Sequence, residues 1–416
     1  MATFVMQSLG CDVAAINTVH FSNHTGYGQV KGTKSTAQEI SSLYAGLKQS
    51  YLTDFDVLLS GYAPSAAAVE AVGEIALDLR RKSQAKPGSF FWVLDPVMGD
   101  QGRIYVNEDV VPAYKKIVPH ADLILPNQFE AELLSGIKIT TLSSLADAIT
   151  CLHRTYNVPH IIVTSVQLPS ISSSSSSANA LFTAAGSNST SPDSTHRDTL
   201  TIIGSTARSD GSPRLFKVEV PRLDCFFSGT GDMFAALTVA RLREAVFAAD
   251  ADVEADAKAG SDTNTSSSTT DNTTTHRRSS NLEQPEPPQL RPISTPSSYT
   301  LLRNTPSWQS PDFVPANKLP LAQSTAKVLA SMHCILEKTM EARSAELARY
   351  PSEDDETTRV EDAVEFVTLS EAERRAARIK KQYLRETKAA EIRLVRNVGL
   401  LKNPQGVEFV PEEWNV

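Results

Sequence analysis

The chain has 416 residues, a net charge of −8 and an isoelectric point of about 5.6. An acidic chain of this kind lacks the positive surface that binds nucleic acid or an anionic membrane. Its four cysteines are far apart and form no CxxC pair, which excludes a disulfide framework and a cysteine-based zinc site and indicates a reducing compartment.

No targeting segment is evident in the sequence. The longest apolar runs fall well short of the roughly 20 residues that span a bilayer. The first residues lack the basic region and apolar core of a signal peptide. We therefore expect a soluble cytoplasmic protein, with a nuclear location as the alternative.

Short apolar runs alternate with helical patterns from the N-terminus to about residue 247. The first clear helix begins at a capping box formed by Thr36 and Glu39. Buried strands are predicted, in chain order, over residues 56–60, 90–94, 122–125, 160–164, 200–204 and 215–220. Alternating strands and helices predict a three-layer α/β/α fold with a mostly parallel sheet, whose ligands bind at the carboxyl ends of the strands.

Two stretches rich in polar residues interrupt this pattern. Residues 170–199, which include six consecutive serines, and residues 249–316 have compositions typical of disordered insertions. The core is therefore expected over 1–247, with a further core helix at 317–345. The remaining segment, 346–416, is densely charged and is expected to end on the core.

The sequence Gly229-Thr230-Gly231-Asp232 precedes a helical run. Glycines at the start of a helix let a ligand approach the backbone, and the unpaired N–H groups there bind anions. Asp232 would lie in the first turn, where its carboxylate could accept a proton from a hydroxyl group during phosphoryl transfer. The alternative is structural, because Asp and Gly are common at helix N-termini in any case.

Three strand ends carry polar pairs at the same predicted edge. They are Asp95 with Asp100, Asn127 with Glu130, and Thr164 with Ser165. Carboxylates at a ligand-binding edge suit Mg²⁺, which takes few protein ligands together with waters and phosphates. Asn127 and Glu130 also match a capping box, so Glu130 either completes that cap or reaches a water on the metal. The convergence of the three pairs predicts a site for a nucleotide and its metal.

Several longer strings carry further information. They are Phe21-Ser22-Asn23-His24-Thr25-Gly26-Tyr27, Ser60-Gly61-Tyr62, Asp95-Pro96-Val97-Met98-Gly99-Asp100, Pro126-Asn127-Gln128-Phe129-Glu130-Ala131-Glu132-Leu133-Leu134, Thr164-Ser165 and the motif ending at Asp232. In order and approximate spacing they resemble those of pyridoxal kinases, over about residues 3–247 and 318–345. The Gly-Thr-Gly-Asp motif is typical of the wider ribokinase-like superfamily, whereas the strings around Thr25 and Glu130 are much more specific to the pyridoxal kinase branch.

The resemblance implies phosphorylation of the 5′-hydroxymethyl group of pyridoxal, pyridoxine or pyridoxamine by ATP. Asp232 would be the catalytic base, Thr25 and Tyr62 would hold the pyridine ring, and His24 is the weakest assignment. The motif residues Gly229, Thr230 and Gly231 would form the anion hole. The implied metal residues are Asp95 and Glu130, with Asn127 assisting. The implied ATP-binding residues are Asp95, Asp100, Tyr105, Asn127, Thr164, Ser165, Leu223 and Thr230, and Thr164 and Ser165 would also face a K⁺ ion.

The sequence departs from the family pattern in two places. Met1 to Gln7 match a helix that in relatives follows a first strand and a Gly-containing loop with a substrate-binding Ser, so this strand is expected to be missing. Either the start codon is misassigned or the chain is a truncated form with an unpaired strand edge. Leu125 stands where relatives have Thr near the phosphates. The homodimer implied by the resemblance has its interface near the missing strand.

Two other functions remain open. One is a kinase for hydroxymethylpyrimidine, against which the Ser-Asn-His-Thr-Gly-Tyr string argues. The other is a non-catalytic nucleotide-binding or scaffold protein, against which the intact Asp232 argues.

Overall fold

The structure is a computed structural model that describes residues 1–166, 199–262, 300–350 and 370–415. The predicted loop 170–199, apart from its last residue, and most of the insertion 249–316 lie outside these residues. The strands are β1 (Val19–Phe21), β2 (Gly32–Lys34), β3 (Val57–Ser60), β4 (Phe91–Leu94), β5 (Gly99–Asp100), β6 (Arg103–Ile104), β7 (Leu123–Ile124), β8 (His160–Val166), β9 (Thr199–Ala207), β10 (Pro213–Pro221) and β11 (Glu412–Glu413).

The helices flank these strands in the described ranges. They are α1 (Ala2–Ser8), α2 (Ala37–Gln49), α3 (Ala66–Ser83), α4 (Val110–Ile117), α5 (Gln128–Ser135), α6 (Leu142–Tyr156), α7 (Thr230–Asp262), α8 (Pro320–Leu347), α9 (Glu371–Ala389) and α10 (Val398–Lys402). Short 3₁₀ turns lie at Thr25–Tyr27, Val118–His120, Leu302–Asn304, Pro306–Trp308, Ala316–Lys318 and Val395–Asn397. None of these helices is long and apolar enough to cross a membrane.

The central sheet has the order β11-β10-β9-β8-β7-β4-β3. The pairings from β3 through β8 are parallel, but β8/β9, β9/β10 and β10/β11 are antiparallel. The expectation of a mostly parallel sheet is therefore wrong for one half of it. For β9 and β10 the reason is their connection: a short turn, closed by the hydrogen bond from Arg208 N to Ser212 O (2.8 Å), joins them, and strands joined so tightly must run antiparallel.

Each face of the sheet packs against its own layer of helices. Trp92 and Leu94 of β4 face a core formed with α2 to α6, whereas Phe91 and Val93 face a core formed with α1, α7 and α8. This alternation follows from the two-residue period of a strand. The three-layer α/β/α architecture predicted from the sequence is confirmed.

The ends of the predicted insertion 249–316 belong to the folded core. Helix α7 continues to Asp262, and residues 300–316 pack on the sheet. Trp308 stacks on Phe91 with 4.3 Å between ring centroids and donates from Nε1 to Gly88 O at 2.8 Å. A large aromatic ring buries enough apolar surface to anchor an otherwise polar segment.

Candidate functional site

A groove of about 1800 Å³ runs along β3, which is the edge of the sheet in the described chain. Its walls come from both helical layers, with Ile40, Tyr44 and Ile75 on one side and Ala235 and Val239 on the other. Tyr62, Asp95 and Asp232 also line it. The fold therefore brings three of the sequence-predicted site residues into one cleft.

The Gly229–Asp232 motif forms the start of α7. Gly229 has φ +86°, a left-handed conformation that favours glycine, and its carbonyl accepts the hydrogen bond from Met233 N at 3.1 Å. The helix begins at Thr230, so the N–H groups of its first turn have no partner within the helix. A Cβ built at Gly231 would lie 3.9 Å from Asp95 Oδ2. The motif and the end of β4 therefore face each other.

Asp232 lies in this first turn and remains open to solvent through the groove. Protein atoms crowd around its carboxyl and raise its pKa by desolvation, although the amino group of Met1 opposes the rise. A carboxyl with a raised pKa is a better proton acceptor once it is ionised. In this position the Asp232 carboxylate can accept a proton from a group that enters the groove.

Asp95 follows β4 directly and is 9% exposed. Its backbone N donates to Ser60 O at 2.8 Å, but its carboxylate makes no hydrogen bond to another described residue. Burial raises the pKa of Asp95 well above its usual range, and the neighbouring carboxylates of Glu130 and Asp232 raise it further. A cation beside this buried carboxyl would stabilise its ionised form.

Glu130 and Asn127 form the capping box that the sequence allowed as one of two readings. Asn127 Oδ1 accepts from Glu130 N at 2.9 Å, and Glu130 Oε2 accepts from Asn127 N at 2.9 Å. Glu130 Oε1 also accepts from Met98 N at 2.8 Å and from Gly99 N at 3.3 Å. Burial raises the pKa of Glu130, and these backbone N–H groups oppose the rise. Glu130 therefore joins α5 to the segment after Asp95.

Thr164 and Ser165 lie at an irregularity near the carboxyl end of β8. The register against β9 shifts between Val163 and Val166, and Ser165 has φ +57°. A non-glycine residue in the left-handed region is strained, and such strain is often found at functional sites. Thr164 N donates to Pro126 O at 3.0 Å, so this bulge lies beside the start of α5.

The remaining predicted residues surround this centre. Asp100 and Tyr105 belong to the small β5/β6 hairpin, where Tyr105 is 62% exposed and Tyr105 N donates to Met98 O at 3.0 Å. Desolvation and the charge of Asp100 raise the pKa of Tyr105 to about 12. Leu223 lies in the loop before α7 and is half-buried. Thr25 lies in the turn between β1 and β2 and does not line the groove.

Sequence reasoning missed the contact of the C-terminal segment with this turn. Tyr27 Oη donates to Glu391 Oε1 at 2.8 Å, and Tyr383 Oη donates to Gly26 O. These partners are more than 350 residues apart along the chain, and no local pattern signals such a pairing.

A protein-family model described as phosphomethylpyrimidine kinase matches residues 50–207. The pyridoxal kinase of Ovis aries is 37% identical over 248 residues, which are 58% of this chain and 70% of the relative. The pyridoxal kinase of Homo sapiens is 35% identical over the same length and covers the same shares. The chain belongs to the pyridoxal kinase family.

Solved pyridoxal kinases share the fold. The Leishmania donovani enzyme in complex with ADP and pyridoxamine has a TM-score of 0.58 and 23% identity, with 99% of this chain and 93% of that chain covered. The Plasmodium falciparum enzyme with AMP-PNP and PL has a TM-score of 0.57 and 19% identity, with 100% and 92% covered. The ribokinase-like fold expected from the sequence is confirmed.

Proposed function

We propose that this member of the pyridoxal kinase family is an ATP-dependent pyridoxal kinase. It would transfer the γ-phosphate of ATP to the 5′-hydroxymethyl group of pyridoxal, pyridoxine or pyridoxamine. The observation that carries the proposal is the meeting of Asp232, at the start of α7, with Asp95, at the end of β4, in one groove. Solved relatives that hold ADP with pyridoxamine or pyridoxine support both substrates.

In this proposal Asp232 accepts the proton of the acceptor hydroxyl as that oxygen attacks the γ-phosphorus, and the bond from the γ-phosphorus to the bridging oxygen breaks to release ADP. The desolvation that raises its pKa makes the carboxylate a stronger base than a solvated one. The N–H groups of Gly229, Thr230 and Gly231, at the positive end of α7, face the negative charge of the transferring phosphoryl group. Tyr62 lines the same groove and is assigned to the pyridine ring, together with Thr25.

The ATP phosphates would lie on the Asp95 side of this centre. Asn127 holds Gly99 O through its Nδ2 at 2.7 Å and is therefore a positioning residue for the β5/β6 hairpin. Asp100 and Tyr105 on that hairpin would cover the nucleotide, and Leu223 would contact its adenine. Thr164 and the strained Ser165 would line the phosphate and K⁺ side of the site.

The chemistry of these side chains fits a Mg²⁺ ion that enters with ATP. Among the described residues, no cluster of three or more His, Cys, Asp or Glu side chains could hold a metal alone. Mg²⁺ needs no such cluster, because it binds nucleotide through one or two carboxylates, waters and phosphates. Asp95 has a free carboxylate for this role, whereas both oxygens of Glu130 are occupied by backbone N–H groups. When bound, the ion would neutralise phosphate charge, and Glu130 would support it indirectly.

A hydroxymethylpyrimidine kinase is the second candidate function. The observation that favours it is the match of residues 50–207 to the phosphomethylpyrimidine kinase model. Both reactions would use the same base and the same nucleotide side, so they differ in the ring that the groove accepts.

A substrate panel separates these candidates from a non-catalytic scaffold. Purified protein with Mg-ATP is offered pyridoxal, pyridoxine, pyridoxamine and hydroxymethylpyrimidine, and the phosphorylated products are quantified. We expect the highest kcat/KM for a B6 vitamer. Preference for the pyrimidine would replace the proposal by the second candidate. ATP binding without phosphorylation of any acceptor would favour a non-catalytic scaffold protein.

A further inference from the structure

The C-terminal segment lies against the turn that carries Thr25. Tyr27 Oη donates to Glu391 Oε1 at 2.8 Å, and His24 Nε2 lies 3.5 Å from the same oxygen. Tyr383 of α9 donates from its hydroxyl to Gly26 O. Both ends of the Thr25–Tyr27 turn therefore have a partner in the segment 383–391.

Glu391 is held on the core. Arg393 pairs with Glu346 of α8 at 2.5 Å, and Lys388 pairs with the other oxygen of Glu346 at 3.3 Å. The backbone N of Arg393 donates to Thr339 Oγ1, a buried hydroxyl of α8, at 3.0 Å. These contacts lie on both sides of Glu391 in sequence, so its carboxylate is presented from a fixed backbone.

The β1/β2 hairpin has little support of its own. β2 is exposed along its whole length and β1 is at most half-buried. Within the loop, Asn23 Nδ2 donates to Gln29 O at 2.7 Å, and the His24 and Tyr27 rings lie 4.7 Å apart. The Thr25–Tyr27 turn therefore depends on Glu391 and Tyr383 for its position relative to the core.

The turn also adjoins the segment that leads into the Gly229–Asp232 motif. A Cβ built at Gly26 would lie 3.9 Å from the ring of Phe226, which is 78% exposed and precedes Gly229 by three residues. A displacement of the turn would therefore be felt next to the catalytic motif as well as at Thr25.

We infer that Glu391 is a positioning residue which, through Tyr27, places the Thr25 turn for binding of the acceptor alcohol. This inference rests on the proposed function. Desolvation and the bond to Glu391 raise the pKa of Tyr27 to about 12, so its hydroxyl remains a donor throughout the neutral range. Glu391 lies outside residues 50–207, the part of the chain that the family model matches.

The test compares Glu391→Ala, Glu391→Gln and Tyr27→Phe. The matched control is Glu371→Ala, which removes an exposed carboxylate at the start of α9, the helix that ends two residues before Glu391. We expect Glu391→Ala and Tyr27→Phe to raise the KM for pyridoxal about 3- to 10-fold, because each removes one hydrogen bond that involves a charged, partly exposed group. The KM for ATP and kcat should stay within about 2-fold in these variants. Glu391→Gln keeps an acceptor oxygen and should recover most of the affinity.

A second readout does not depend on turnover. Backbone hydrogen exchange over residues 22–31 should be faster in Glu391→Ala than in Glu371→Ala, because the turn has lost its partner. An unchanged KM for pyridoxal in Glu391→Ala, or unchanged exchange in this loop, would overturn the inference. If the wild-type protein phosphorylates no vitamer, the proposed function fails and the inferred role in acceptor binding fails with it, whereas faster exchange would still identify the contact.

Discussion

Replacing Glu130 by Ala should destabilise the protein far more than replacing a typical capping residue. Glu130 is 3% exposed and accepts from three backbone N–H groups, those of Met98, Gly99 and Asn127. Each N–H left without a partner in a buried position costs about 1–3 kcal/mol. Removal of a carboxylate that is itself buried, and whose pKa is raised for that reason, recovers part of this loss.

The net expectation for Glu130→Ala is a loss of about 2–4 kcal/mol in the free energy of unfolding. For a folded core of roughly 300 residues, this corresponds to a fall in Tm of about 3–6 °C. The stability of Glu130→Gln should lie between those of Glu130→Ala and wild type. The amide oxygen can still accept from Met98 N, but the amide NH₂ then faces Asn127 N–H, and two donors cannot pair.

The assay is thermal and urea unfolding of each variant, with Glu39→Ala as the matched control. Glu39 forms the same capping box with Thr36 at the start of α2, but there it is exposed to solvent. Its removal should lower Tm by less, because water replaces the lost bonds. Equal shifts for Glu130→Ala and Glu39→Ala would refute the claim that Glu130 holds the β4 and α5 ends together.

Three further predictions concern residues of the candidate site. Because desolvation raises the pKa of Asp232, kcat/KM should fall as the pH decreases, with an apparent pKa above the ordinary value of about 3.9. The same raised pKa means that ionisation of Asp232 destabilises the folded protein as the pH rises. The Tm of Asp232→Asn at pH 8 should therefore be no lower than that of wild type. Gly229→Ala places a Cβ at φ +86° and should cost about 1–2 kcal/mol in unfolding free energy and lower kcat, whereas unchanged unfolding would contradict the left-handed conformation. Ser165→Val should be less stable than Ser165→Gly by about 1–2 kcal/mol in urea unfolding, because only glycine adopts φ +57° without strain; the reverse order would refute the strained bulge.

Much of the fold could be predicted from the sequence because its signals are local. The apolar run 90–94 became β4, and the Thr36 and Asn127 capping boxes formed as their spacing indicated. The direction of a strand depends on the connection that leads into it, which the apolar runs themselves do not show. The runs at 200–204 and 215–220 are strands, but only the tight turn between them made their pairing antiparallel.

The candidate site likewise combines features that local residue patterns predict with contacts between distant segments that they do not. The residue types at the strand ends predicted that Asp95, Asn127 and Thr164 would share an edge. Asn127 pairs with Thr164, and Asp95 follows β4, the strand that runs parallel to β7. Composition alone could not reveal that Trp308 anchors the end of a polar stretch on Phe91. Nor could it place Glu391 beside Tyr27, because that contact depends on how the C-terminal segment packs on α8, far from Tyr27 in the sequence.

The most direct test of the proposed function is the rate of pyridoxal phosphorylation by wild type and Asp232→Asn at saturating Mg-ATP. Asp147→Asn, which removes an exposed carboxylate on α6 far from the motif in sequence, controls for the change in net charge. We predict that wild type and Asp147→Asn form pyridoxal 5′-phosphate at similar rates, and that Asp232→Asn is slower by about 10²- to 10⁴-fold, the usual contribution of a general base. Equal rates for wild type and Asp232→Asn would contradict the assignment of Asp232 as the base.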